Sequence, residues 1–219
     1  MQYKGGGYII RSGLDKYNDS FYNHIEIIYQ KNNIEPELDN ESSADLYRGN
    51  IDWIRAWKLK TGSDLFSVFI GGHLLCSYGA MNHKVWANNS FSHSLALNLG
   101  PSFVLSVTPF SSSQDLLIAL EVSVPLLNYI IRPSQGSILP DGTIKNGENT
   151  TWTKIIGGSI TSLHEYQRIY SNIYLSTRIT QRMNIRAGYQ VDFQNYSVNN
   201  LYQSVNRLIY IGLHYRLKI

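Results

Sequence analysis

From Ile209 to the end, Ile209, Ile211, Leu213, Tyr215, Leu217 and Ile219 alternate without a break with Tyr210, Gly212, His214, Arg216 and Lys218. A repeat of two is the mark of a strand with one apolar and one polar face. This strand runs to the last residue, as the closing strand of a cylinder does when it pairs with the first. The pattern recurs upstream. In Gln114 to Ile131, Leu116, Ile118, Leu120, Val122, Val124 and Leu126 share a face opposite Asp115, Ala119, Glu121 and Ser123. In Ser90 to Thr108, Leu95, Leu97, Leu99, Phe103, Leu105 and Val107 oppose Ser92, Ser94, Ala96, Asn98, Gly100 and Ser106. Parity survives Gly100-Pro101, so this segment reads as one strand with a local bend.

Further strands are expected at Phe21–Tyr29, Leu46–Leu59, Phe66–Tyr78, Ile169–Ile179 and Ile185–Phe193. In the second of these Trp53 and Trp57 share a face, and Arg55 falls on that face with them. The links between strands alternate in length. Lys60–Asp64, Pro109–Ser113 and Thr180–Met183 are short; Lys31–Asp45, Gly79–Asn89, Arg132–Thr151 and Asn195–Gln203 are long and polar. The expected fold is therefore all-β, a closed antiparallel transmembrane barrel of eight strands over residues 20–219. Residues 1–19 form an N-terminal extension or part of the first strand. A ten-strand barrel is the alternative if Gly5–Asp15 and Trp152–Leu163 are independent strands.

Composition separates this reading from a soluble sandwich or barrel. Charged residues are only 16% of the chain, against ~25–35% on an ordinary water-facing surface. The polar face is mostly Ser, Asn, Gly, Ala and Thr, which suits a narrow lumen. No apolar run approaches the ~18 residues of a membrane helix, and barrels escape that test. Met1 to Gly7 carries no apolar signal segment, so the chain is taken as a mature form. A net charge of +3, with no Lys/Arg cluster, gives no case for nucleic acid. Transmembrane barrels have short periplasmic turns and longer outer loops. The expected location is the bacterial outer membrane, with the C-terminus periplasmic and the long loops extracellular. Tyr29, Tyr47, Tyr78, Tyr129, Trp152, Tyr196 and Tyr202 lie beside the long links, where an outer aromatic girdle would sit.

This layout resembles the small eight-stranded, porin-like outer-membrane barrels of Gram-negative bacteria, the group containing outer-membrane proteins X and W and the barrel of outer-membrane protein A. The resemblance covers Phe21 to Ile219 as architecture and carries no motif. Those barrels often end in Phe; this chain ends in Lys218-Ile219 and is rich in Asn, Ile, Tyr and Lys, which looks more like barrels of Bacteroidota.

Alternation sends His24, Glu26, Arg48, Asp52, Lys58, His73, Glu121, Arg178, Arg186, Asp192, His214 and Arg216 into the lumen. Buried charges persist when paired, so these are expected to form a network that fills the barrel. His93 and Ser94 are the only suggestive catalytic pair, for a lipid acyl hydrolase. Adjacent strand residues point to opposite faces, which argues against a dyad. Gly5-Gly6-Gly7 lacks the Lys-Ser/Thr of a phosphate loop, and the six His residues and Cys76 show no metal-ligand spacing. No cofactor is expected. The functional reading is a non-enzymatic accessory subunit, with outer-membrane lipid or lipopolysaccharide and another outer-membrane protein or lipoprotein as partners. A lipid deacylase and a narrow channel are the alternatives.

Overall fold

The structure, a computed structural model, describes residues 3–17, 20–36, 43–60, 65–83, 91–109, 116–131, 159–162, 165–196 and 202–216. These form eleven strands: β1 Tyr3–Tyr17, β2 Phe21–Pro36, β3 Ala44–Lys58, β4 Phe66–His83, β5 Phe91–Val107, β6 Leu116–Ser123, β7 Leu127–Ile131, β8 Ser159–Ser162, β9 Tyr166–Arg178, β10 Met183–Tyr196 and β11 Tyr202–Arg216. Nine of them close a ring in the order β1-β2-β3-β4-β5-β6-β9-β10-β11, while β7 pairs with Leu95–Leu99 of β5, beyond the end of β6, and β8 pairs with β7.

The barrel thus has nine strands, neither eight nor ten. The segment expected as an extension is a full strand: Tyr3 pairs with Pro36 and Tyr17 with Tyr22, with every position between in register. Its alternation is real, with Tyr8, Ile10 and Leu14 exposed outside and Gly13 and Asp15 buried within. The triple glycine and the charges at Arg11, Asp15 and Lys16 hide it from an apolar pattern. The other proposed strand, Trp152–Leu163, contributes only Ser159–Ser162 among the described residues, paired with β7 and not one of the nine.

The long–short rhythm also fades. Strands climb into the links expected to be long: Asn33 pairs with Asp45, Asn82 with Phe91, and Tyr196 with Tyr202. What remains between strands is 37–43, 84–90 and 197–201 at one end, comparable to 59–65 and 108–115 at the other. Only 132–158 stays long.

An odd ring forces one parallel contact, because strands alternate in direction around it. That contact joins β1 to β11 and covers four positions, Ser12↔Leu213 to Asp15↔Arg216. Beyond Ser12 the two strands part. A cleft of about 330 Å³ opens there, lined by Gly5, Gly7, Ile9 and Arg11 of β1, Gln30 and Asn32 of β2, and residues 206–211 of β11.

One ladder slips phase. β5 pairs with β6 at Ser102↔Ser123 but with β7 at Leu99↔Leu127, so the second strand carries one extra residue opposite Gly100-Pro101. This is a β-bulge, placed where Pro125 has no amide hydrogen to give the ladder. Leu126 instead donates to the Leu99 carbonyl and Val124 to the Pro101 carbonyl. A Cβ on Gly100 would run into the Val124 carbonyl oxygen and Pro125; only glycine lets the bulge lie this close. Parity from Gln114 to Ile131 therefore does not hold throughout: Ser123 is buried, and after the bulge it is Asn128 and Ile130 that are buried.

The outer face is apolar. Ile27, Ile51, Trp57, Leu99, Ile173, Ile209, Ile211 and Leu213 are all exposed. Ile209 and Ile211, at 83% and 75%, exceed all other described large apolar side chains; they flank the cleft, where β1 and β11 no longer pair. Arg55 is exposed among them with a physical reason: its guanidinium carbon lies 5.8 Å from the Trp57 ring centroid and 5.9 Å from that of Phe21, within cation–π range. Trp53 turns its indole N–H to Asn23 Oδ1 at 2.8 Å.

Candidate functional site

Every ring strand sends alternate side chains inward, and the interior sorts into an apolar plug and a set of ion pairs. The plug consists of Tyr22, Ile54, Ala56, Phe69 and Val104 from β2 to β5, all near the end where β2 begins and β3 finishes. A second cluster joins Ala119, Tyr174 and Tyr210, with Leu117 and Leu208 against it.

The ion pairs occupy the rest. Arg168 is completely buried and grips Asp192 with two parallel bonds, Nε to Oδ1 and Nη2 to Oδ2, both 2.7 Å; Gln194 Nε2 donates to Asp192 Oδ2 at 2.9 Å. Such bidentate pairs are the strong kind. His73 Nε2 meets Asp52 Oδ1 at 2.7 Å, with the Tyr170 ring 5.5 Å away. Glu121 accepts from the Tyr22 hydroxyl at 2.6 Å and from Asn172 Nδ2 at 2.9 Å, and Asn172 Oδ1 accepts from the Tyr210 hydroxyl at 2.9 Å.

The densest group sits behind the β1–β11 seam. Arg186 Nη2 donates to Asp15 Oδ2 at 2.8 Å, and its guanidinium carbon lies 3.9 Å from the Tyr174 ring centroid. Asp15 Oδ1 is 2.6 Å from His24 Nδ1. Arg11 holds Glu26, donates to Gln190 Oε1 at 3.0 Å, and lies 3.7 Å over Tyr210. His214 lies between the two carboxylates, with Nδ1 3.6 Å from Asp15 Oδ2 and Nε2 3.5 Å from Glu26 Oε1. Neither of its ring nitrogens makes a hydrogen bond.

Of the lumen set read from the sequence, His24, Glu26, Asp52, His73, Glu121, Arg186, Asp192 and His214 are buried, and Arg48 and Arg178 are half-buried. Arg216 pairs with Asp15 in the ladder, and its side chain lies outside the described residues. Asp15, Arg11 and Arg168 complete the network and escaped sequence reading. The first two belong to the strand taken for an extension, and Arg168 sits one residue before the expected start of β9. The alternation of Tyr8, Ile10, Ser12 and Leu14 with Ile9, Arg11, Gly13 and Asp15 was the available signal.

His93 and Ser94 occupy adjacent positions on β5, in register with Ala80 and Gly79. Ser94 Oγ lies where a Gly79 Cβ would come within 2.9 Å of it, so it shares the Gly79 face and His93 takes the other. Of the tyrosines expected to form a girdle, Tyr29 and Tyr78 are exposed and Tyr47 and Tyr129 half-buried. Tyr8 adds to them, its ring centroid 6.3 Å from that of Tyr29. Trp152 and the side chains of Tyr196 and Tyr202 lie outside the described residues. No known protein family, curated protein or solved structure matches this chain.

Proposed function

We propose that this chain is an integral barrel of the bacterial outer membrane that works by contact, as an accessory component of a larger outer-membrane assembly, without catalytic turnover. The observation that carries this reading is the inverted polarity: charges paired within, and Ile, Leu and Trp side chains exposed around the outside. Exposed apolar surface on that scale marks a membrane or partner interface. The Bacteroidota-type composition supports the bacterial assignment, and lipid or lipopolysaccharide is the partner for most of the belt.

The cleft supports the contact role. Tyr3–Arg11 and Tyr202–Gly212 each have one edge with no strand of the described residues beside it, and an open edge at membrane depth needs protein or water against it. The apolar plug and the ion pairs weigh against a narrow channel. The opposed faces of His93 and Ser94 weigh against a lipid hydrolase.

Folded protein in detergent should show heat-modifiable migration and a β-rich circular dichroism spectrum, and native extraction should recover it in a complex larger than itself. A water-soluble monomer without detergent would defeat the membrane reading. Release of acyl chains by purified protein, abolished by Ser94→Ala, would install the hydrolase instead. Protease on intact cells should cut within 132–151 if that link faces outward; cleavage only after the outer membrane is breached would reverse the topology.

A further inference from the structure

Asp15, His24 and His214 come from β1, β2 and β11, the three strands that meet at the seam. One ligand atom from each lies within 4.8 Å of the others, and all three residues are buried. Two features set this group apart from the other buried pairs. His73 and His24 each use a ring nitrogen on a carboxylate, whereas His214 uses neither. An enclosed imidazole with both nitrogens idle has lost water and gained nothing. Its idle nitrogens face Asp15 and Glu26, at 3.6 and 3.5 Å.

The second feature is that the backbone makes room for that ring. A Cβ on Gly13 would lie 2.6 Å from His214 Nδ1, so β1 must carry glycine there for the ring to sit as it does. His214 is then held beside His24, ring centroids 5.7 Å apart and planes 26° from parallel.

We infer that Asp15, His24 and His214 form a binding site for a divalent transition-metal ion that clips the barrel shut at its seam. Two imidazoles and a carboxylate suit zinc, nickel, copper or iron(II) and suit magnesium and calcium poorly. Ligand bonds of ~2.0–2.1 Å place neighbouring donor atoms ~3.3 Å apart in a tetrahedral shell, which the three groups reach by small side-chain rotations. On binding, His24 gives up its hydrogen bond with Asp15 Oδ1 for the ion and keeps one N–H, on Nε2; a doubly protonated ring loses its other proton to solvent. Asp15 Oδ2 stays with Arg186. Glu26, with Oε2 3.9 Å from His24 Nε2 and Oε1 3.5 Å from His214 Nε2, supplies a fourth ligand or accepts from the outer nitrogen of a ligating ring. Arg186 opposes a second cation nearby, which holds affinity below that of a closed all-protein zinc site. The gain is mechanical: one ion joins the first two strands to the last where the ladder has four positions.

Untagged protein folded in detergent, stripped with chelator and desalted, is equilibrated with Zn²⁺ or Mg²⁺, and bound metal is counted by mass spectrometry after gel filtration. One zinc and no magnesium per chain are expected. His214→Gln should reduce zinc to background, while His73→Gln, at the other buried His–Asp pair, should keep one equivalent. Zinc should raise the temperature at which the folded gel band disappears in the unmodified chain and in His73→Gln, and leave His214→Gln unmoved. Copper(II) on the unmodified chain needs no variant: its paramagnetic resonance spectrum should carry splitting from two nitrogens. Less than one zinc in the unmodified chain, full retention in His214→Gln, or a copper spectrum without nitrogen splitting overturns the site.

Discussion

Between β4 and β5 the ladder runs from Phe66↔Val107 to Asn82↔Phe91, almost the whole of both strands; across the ring, between β1 and β11, it covers four positions. The two contacts share strand length and alternation. They differ in direction and in what backs them. The β4–β5 wall is held by its own backbone, with Val104 and Phe69 packed in the plug behind it. The seam has little backbone to rely on and is backed by the densest charges among the described residues. Where hydrogen-bonded pairs run out, side chains from both strands reach a shared set of partners: Asp15 from β1 and His214 from β11 meet around His24 and Arg186. Closure of an odd ring thus moves the load from main chain to side chains at one place.

The largest effect should come from stranding a buried carboxylate. Arg186→Ala removes the guanidinium from Asp15, and Arg168→Ala does the same to Asp192; each should cost ~3–5 kcal/mol in chemical unfolding of the refolded barrel. The comparison is sharpened by strand-resolved hydrogen exchange. Arg186→Ala should speed exchange in β1 and β11 while β4 and β5 stay protected, because the seam opens without the rest. Equal acceleration in β4 and β5 would erase the distinction between seam and wall.

Next in size is a charge on the outer face. Leu74 sits mid-strand between Trp53 and Leu99, and Leu74→Arg should cost ~2–4 kcal/mol in bilayer-refolded protein if that face meets hydrocarbon. Leu213→Arg, close to the end of β11, should cost ~0–1 kcal/mol, because its head reaches the interface. Equal costs at the two sites would break the depth assignment.

Gly100→Ala tests the wall alone. The added methyl meets backbone at Val124 and Pro125, which cannot swing aside, so a loss of ~1–3 kcal/mol is expected by thermal unfolding. Gly6→Ala, with nothing within 4 Å of its would-be Cβ, should be neutral or slightly stabilising by the same assay. The smallest effect belongs to Arg55→Ala, which removes an exposed guanidinium from between Trp57 and Phe21 and should shift stability by ~0.5–1 kcal/mol; an unchanged midpoint would reduce Arg55 to a bystander.

Alternation made most of the wall legible in the sequence. Leu95 to Val107 and Ile209 to Tyr215 carry apolar residues at every second position, and a half-buried strand leaves no other way to arrange them. The ninth strand was harder to see because its outward row, Tyr8, Ile10, Ser12 and Leu14, is broken by a serine and preceded by glycines. Missing it also hid Asp15 and Arg11, and with them the reason His24, Glu26, Arg186 and His214 collect in one place. Periodicity reports which face a side chain takes, but not which strands become neighbours. Asp15 and His214 stand at opposite ends of the sequence, and only ring closure makes them adjacent.

The bulge at Val124 to Leu126 also has a consequence for how this stretch tolerates change in length. It works as a reading-frame shift written into the strand: upstream the odd positions face inward, downstream the even ones. Removing the extra residue itself would merge the two phases into one ladder along β5, with Asn128 and Ile130 still inward opposite Asn98 and Ala96; removing one within the paired stretch of β7 instead would send the residues beyond the cut to the wrong face. Substitutions in β7 are constrained one residue at a time, but an insertion or deletion is constrained by parity. A single deletion at Pro125 should therefore be tolerated better than a single deletion or insertion among Leu127–Ile131.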